Sequence, residues 1–187
     1  MYYVITVKIS AILIAVFVSV FAHAPFFTVL LYTALAVVCV VAVDGLTATL
    51  MRLLPEKCAD QEKKIYRVSA KEKAVYEKLK IRAWKEKVPE LGHLTGFRKN
   101  KIVDPKSLEY LNRFLLEICY GQIVHFVSCF SGCLIFALSF LYPLWWVICM
   151  PVAVINAFLN WLPLIVLRYN SYKLRILKKN LQKKKYN

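Results

Sequence analysis

Two stretches of this chain contain no Lys, Arg, Asp or Glu, one from Ile9 to Val43 and one from Ile118 to Leu167. About 20 apolar residues cross the roughly 30 Å of bilayer hydrocarbon, so each stretch is long enough for nearly two crossings. Inside a bilayer no water satisfies the backbone, which leaves helices as the form such spans take. The first stretch is interrupted at His23-Ala24-Pro25 and the second at Leu141-Tyr142-Pro143. Proline begins a helix well and interrupts one badly. The pattern therefore predicts spans at 4–22, 26–43, 114–140 and 144–167. The expected fold is an all-α membrane protein with four transmembrane helices as two hairpins. It forms a single integral membrane domain over residues 1–187, with a basic helical cytosolic segment at 44–113 between the hairpins and a basic tail at 168–187.

The charges outside those stretches are lopsided. Lys and Arg number 26 against 11 Asp and Glu, for a net charge of +15. Seventeen of the 26 lie in residues 52–113, eight in 168–185, and the last is Lys8, while the predicted hairpin turns carry none. Positive charge stays on the cytosolic side, so the middle segment and both termini are expected there, in a multi-pass protein of the cell membrane. The lysine-rich tail is expected to meet anionic lipid rather than nucleic acid. Ala22-His23-Ala24 has the look of a signal-peptidase site. Lys8 is single and late for a signal peptide, and Pro25 would follow the cut, so the first span is expected to be retained.

Six cysteines, five of them in predicted spans, form no Cys-x-x-Cys pair and read as small free-thiol packing residues. Cys129 and Cys133 lie one turn apart but have no nearby His or carboxylate to complete a metal site, so no metal is expected. Residues 57–88 place Ile65, Val68, Val75, Leu79 and Ala83 at helical spacing among many Lys and Glu. That is the pattern of a basic amphipathic helix, lying on the membrane surface or packed on the rest of the segment. The Pro and Gly residues of 88–96 predict a loop. Asp104-Pro105 predicts a helix start that continues into the third span.

The third predicted span carries Glu117, Gln122 and His125, and the fourth carries Asn156 and Asn160 before leaving at Arg168. Ionisable groups are costly in a bilayer and tend to face the bundle at a site. Glu117 and His125 are eight residues apart, about 80° past two full turns, so they share one broad side. If Glu117 and Arg168 pair near the cytosolic boundary, the antiparallel register brings His125 level with Asn160, roughly 12 Å deeper. Two layers are expected: a boundary ion pair of Glu117 with Arg168, and a deeper pair of His125 with Asn160. The plainer reading makes these contacts helix staples worth roughly 0.6–2 kcal/mol; it is the reading preferred for Asn156, while His125 points to function.

Arg82-Ala83-Trp84-Lys85, then Pro89, Gly92 and Phe97, resembles a run of the glycosyl-4,4′-diaponeurosporenoate acyltransferases. The likeness continues in Glu117 and His125-Phe126, and again in Asn160, Arg168-Tyr169-Asn170 and Leu174, covering about residues 76–175. Gln122 stands where that family tends to have Glu, Leu167 where it has Gln, and Ser171-Tyr172 where it has Arg-Pro. The resemblance implies a small membrane transferase that acylates a glycosylated carotenoid, the last step toward staphyloxanthin.

On that resemblance the chain is expected to be an enzyme, an acyltransferase taking a fatty acyl group from acyl-CoA to a hydroxyl of a lipid-like acceptor such as a glycosylated carotenoid or glycolipid. His125 is expected to be the base and Glu117 its orienting partner. Asn160 or Arg168 would contact the oxyanion or phosphate. Arg82, Lys85 and Arg168 would attract the donor's phosphates. Trp84 is expected at the interface as an anchor. Gln122, Tyr169 and Asn170 complete the expected substrate-binding set, and no cofactor beyond the acyl-CoA co-substrate is expected. One alternative is a lipid-binding or scaffold protein using the same basic face. Another is a different small membrane transferase, such as a methyltransferase, although no Gly-rich nucleotide loop or Ser nucleophile motif is present.

Overall fold

Helix formation follows the apolar runs but does not stop where they stop. The computed structural model describes residues 2–88, 102–142 and 144–186. Four of its helices are long and apolar enough to cross a membrane. They are α1 (Tyr2–Phe21), α2 (Phe26–Arg52), α5 (Leu108–Ser131), which runs into a 3₁₀ segment over Gly132–Phe140, and α6 (Leu144–Tyr186). Among the described residues, two short α-helices lie between α2 and α5, α3 (Ala70–Lys78) and α4 (Ile81–Trp84). All regular elements among the described residues are helical.

Three boundaries differ from expectation. α2 continues past Val43 through Asp44 to Arg52, α5 begins at Leu108, and α6 runs on from Leu167 to Tyr186. The end of an apolar run does not end a helix: the extension of α6 is rich in Lys, Arg, Leu and Gln, which are good helix formers in water as well. Pro143 and the expected loop at 88–96, with Pro89, Gly92 and Phe97, lie outside the described residues apart from Val88.

The basic segment is not one amphipathic helix. After α2 the chain turns, makes a 3₁₀ turn at Lys64–Tyr66, and starts α3 with Ser69 as N-cap, its hydroxyl accepting from the Glu72 N–H at 3.1 Å. Lys80, in the left-handed region at φ 50°, then separates α3 from α4. These breaks defeat the expected stripe. Ile65, Val75 and Leu79 are 70%, 51% and 50% exposed, whereas Tyr66, Tyr76, Ile81 and Val88 are buried. Tyrosine wins two of those positions because its hydroxyl finds an acceptor: Tyr66 donates to the Cys58 carbonyl at 2.6 Å and Tyr76 to Glu72. At the third span the cap is also displaced. Asp104 accepts from the N–H groups of Lys106 and Ser107 in a local turn, and Ser107 caps α5 by accepting from the Tyr110 N–H at 3.1 Å.

The chain groups into two compact units, Met1–Leu50 with His125–Trp161, and Met51–Val124 with Leu162–Asn187. In the first, Ile14, Ala15 and Val18 of α1 pack with Val29, Ala36 and Val40 of α2 and with Ile135, Ile148, Cys149 and Val152. Tyr32 stacks on Trp145 with ring centroids 5.0 Å apart. α1 and α2 are joined at His23, φ 49°, and the turn is closed by the Ser19 hydroxyl donating to the Ala24 carbonyl at 2.7 Å. In the second unit, Leu111, Leu115 and Ile118 of α5 pack on Leu167 and Leu174 of α6. Tyr76, Ile81 and Val88 pack on Val166 and Tyr169. All six cysteines are free thiols.

Candidate functional site

The first unit holds a polar cluster inside otherwise apolar helices. His125 on α5 donates from Nδ1 to the Asn160 side-chain oxygen on α6 at 3.0 Å. Asn160 donates through Nδ2 to the Asp44 carboxylate on α2 at 2.9 Å, and to the Asn156 carbonyl at 3.2 Å. A carboxylate only accepts, so Asp44 takes the amide nitrogen and turns the Asn160 oxygen toward His125. That oxygen in turn only accepts. In the neutral imidazole that places the hydrogen on Nδ1 and the lone pair on Nε2. Asn156 braces the arrangement, donating to the Ser128 carbonyl at 3.3 Å and to Asp44 at 3.4 Å, and Ser131 donates to Asp44 at 3.5 Å. Gly132 makes room for Asn156, since a Cβ there would come within 2.7 Å of the Asn156 Nδ2.

The second unit holds charges that satisfy one another. Arg168 grips Glu72 through Nε and through Nη2 at 2.8 Å. Its remaining N–H groups reach the Ile65 carbonyl at 2.8 Å, the Arg67 carbonyl at 3.3 Å and the Gln122 oxygen at 3.3 Å. A guanidinium has five N–H donors, and all five are engaged. Burial pushes the Glu72 carboxyl up, but the Arg168 guanidinium and the Tyr76 hydroxyl outweigh it and hold the group below its ordinary value. Burial, and then the bond to Glu72, push the Tyr76 phenol up. Burial chiefly drives Tyr66 up to about 12.

The expected residues separate into those brought together and those not. His125 and Asn160 meet as the register predicted. Glu117 and Arg168 do not pair. Glu117 binds Arg52 at 3.2 Å and Arg113 at 3.1 Å, while Arg168 takes Glu72. Two partners that the span arithmetic did not include, Arg52 at the end of α2 and Glu72 of α3, out-compete the expected ones. Asn160, backed by Asp44, bonds the His125 ring. Gln122 is buried against Arg168. Lys85 donates to Asn170 at 3.2 Å, and Arg82 is exposed. Trp84 packs beside Tyr76, Ile81 and Tyr169 and donates its indole N–H to the Leu79 carbonyl at 2.9 Å. Tyr169 is buried edge-on to Tyr76, with the Lys173 ammonium 4.6 Å from its ring centroid.

Asp44 and Glu72 were missed. Asp44 ended the first charge-free run and was placed outside the membrane by that rule alone. The usable signal for Glu72 was Ser69-x-x-Glu72, a helix-capping spacing that fixes its position on the first turn of α3. Residues 61–180 match the family model described as glycosyl-4,4'-diaponeurosporenoate acyltransferase. No curated protein and no solved structure matches the chain.

Proposed function

This chain belongs to the glycosyl-4,4'-diaponeurosporenoate acyltransferase family, whose activity is acyl transfer in carotenoid biosynthesis, and from that premise we propose that it esterifies a hydroxyl of a glycosylated, lipid-like acceptor with a fatty acyl group from acyl-CoA. The observation that carries the chemistry is the bond between His125 and Asn160, inside the family-matched segment and within the run from Ile118 to Leu167 that carries no Lys, Arg, Asp or Glu. With its hydrogen on Nδ1, His125 offers Nε2 as the base. Nε2 takes the proton of the acceptor hydroxyl as that oxygen bonds to the thioester carbonyl carbon. The tetrahedral intermediate collapses, the carbon–sulfur bond breaks, and the imidazolium returns the proton to the leaving thiolate. The products are the ester and free coenzyme A thiol.

Asn160 and Arg168 are holding groups in this reading, because their N–H donors are already committed. The donor's phosphates fall instead to the exposed Arg82, to Lys85 and to the surrounding lysines. Charge bias puts residues 52–113 and both termini on the cytosolic side, with the four spans as two hairpins, so the donor comes from the cytosol. The acceptor comes from the lipid, where Phe126, Phe130 and Trp161 expose aromatic surface beside His125 and Asn160 in sequence. In reconstituted membranes His125→Ala should abolish transfer from acyl-CoA to a glycosylated carotenoid while the protein still accumulates. Full activity in that variant would remove the assignment and favour a lipid-binding scaffold.

A further inference from the structure

The family-matched segment begins at residue 61, yet the carboxylate behind His125 comes from α2. The geometry points to Asp44 as a positioning residue for the acyl-transfer reaction, acting on the His125 base through the side-chain amide of Asn160. This rests on the reading of His125 given above.

Three features carry it. Asp44 accepts from Asn160 at 2.9 Å, the shortest of its contacts, while Asn156 and Ser131 approach it at 3.4 and 3.5 Å. The Asn160 amide has two different ends, and a neutral partner could hold either. A carboxylate holds only the nitrogen, so Asp44, at a shorter distance than the Asn156 carbonyl that takes the same nitrogen at 3.2 Å, is the stronger selector of which end faces the imidazole. Finally, a carboxylate in apolar surroundings is costly, and among the polar groups around it three side chains aim donors at it. When His125 takes the acceptor's proton, the imidazolium also gains a negative charge one amide away. Nothing is transferred to Asp44 itself. The proton stays on His125 until the thiolate leaves.

Asp44→Asn tests this, because it keeps the shape and removes the carboxylate's share of the selection, leaving the Asn156 carbonyl alone to hold the Asn160 nitrogen. The full chain is placed in nanodiscs, and the ring nitrogens of His125 are read by ¹⁵N NMR in a background where His23 and His93 are Gln. The parent should show hydrogen on Nδ1 and an unprotonated Nε2. Asp44→Asn should show a mixture of the two tautomers, and its kcat should fall about tenfold or more with KM within about twofold. Ser131→Ala removes a 3.5 Å contact to Asp44 without touching Asn160 and should keep the parent spectrum. Parent kcat and parent tautomer in Asp44→Asn, beside an inactive His125→Ala, would overturn the proposal. So would a tautomer shift in Ser131→Ala equal to that of Asp44→Asn, since general loosening would then explain both. A fully active His125→Ala would instead overturn the base reading and the catalytic role of Asp44 with it, leaving the tautomer to judge the relay alone.

Discussion

The two units solve the problem of polar groups in an apolar protein in opposite ways. In the second, charge meets opposite charge: Arg168 with Glu72, and Glu117 with Arg52 and Arg113. The cations end on anions and carbonyls, so the network is closed. In the first, one carboxylate is met by neutral amides and a hydroxyl, and the chain of bonds leads from Asp44 through Asn160 to a histidine. A closed ion network holds elements in place. A directed chain that ends on an imidazole sets a tautomer, which is a chemical property. That difference is what supports the proposal of the second unit as scaffold and donor-gathering surface and of the first as the place of chemistry.

The sharpest way to break this comparison is Arg168→Ala. It strands Glu72 and the carbonyls of Ile65 and Arg67, and should cost about 3 kcal/mol, read as a lowered melting temperature in nanodiscs. If Arg168→Ala instead left stability unchanged and abolished donor binding, the second unit would be a site and not a scaffold. A smaller effect separates two glycines. Gly132→Ala drives a methyl against the Asn156 Nδ2, which is tied to Ser128 and Asp44, and should cost about 2 kcal/mol. Gly121→Ala meets only a Leu167 methyl at 2.9 Å and should cost about 1 kcal/mol. Equal costs would say that the hydrogen bonds of the first unit add nothing.

The smallest effect is in pH. The folded-state pKa of Glu72 lies below its ordinary value of 4.5, so its contribution to stability is complete above that value. It is lost as pH falls through the folded-state pKa. Acid should therefore lower the melting temperature of the parent below about pH 4.5, and less steeply in Glu72→Gln. Identical acid slopes would remove Glu72 from the account.

Much of the fold was legible because apolar length is a strong and local signal. The charge-free runs gave all four long helices, and the antiparallel register of the last two placed His125 opposite Asn160. What failed depended on partners distant in sequence. The register was anchored on a pairing of Glu117 with Arg168 that does not form; Arg168 reaches Gln122, more than a turn further along α5. The deeper pair survived because helix packing, not that ion pair, sets the register, as Cys129 against the Ala157 carbonyl also shows. Asp44 was hidden by the rule that charge ends a span. A carboxylate can stay in the helix when enough donors converge on it, and those donors lie 87 to 116 residues away. The surface stripe at 57–88 failed because the segment is not one helix: a 3₁₀ turn at Lys64–Tyr66 and extended backbone at Arg67 and Ser69 precede α3, and left-handed Lys80 separates α3 from α4.

The central claim is that the imidazole of His125 does the proton transfer. The most direct test is the rate of acyl transfer from labelled acyl-CoA by the parent and by His125→Gln in the same nanodiscs, at matched melting temperature. Glutamine fills the space and offers an amide but no base. The account predicts a loss of about 100-fold or more. A rate within about twofold of the parent would contradict it.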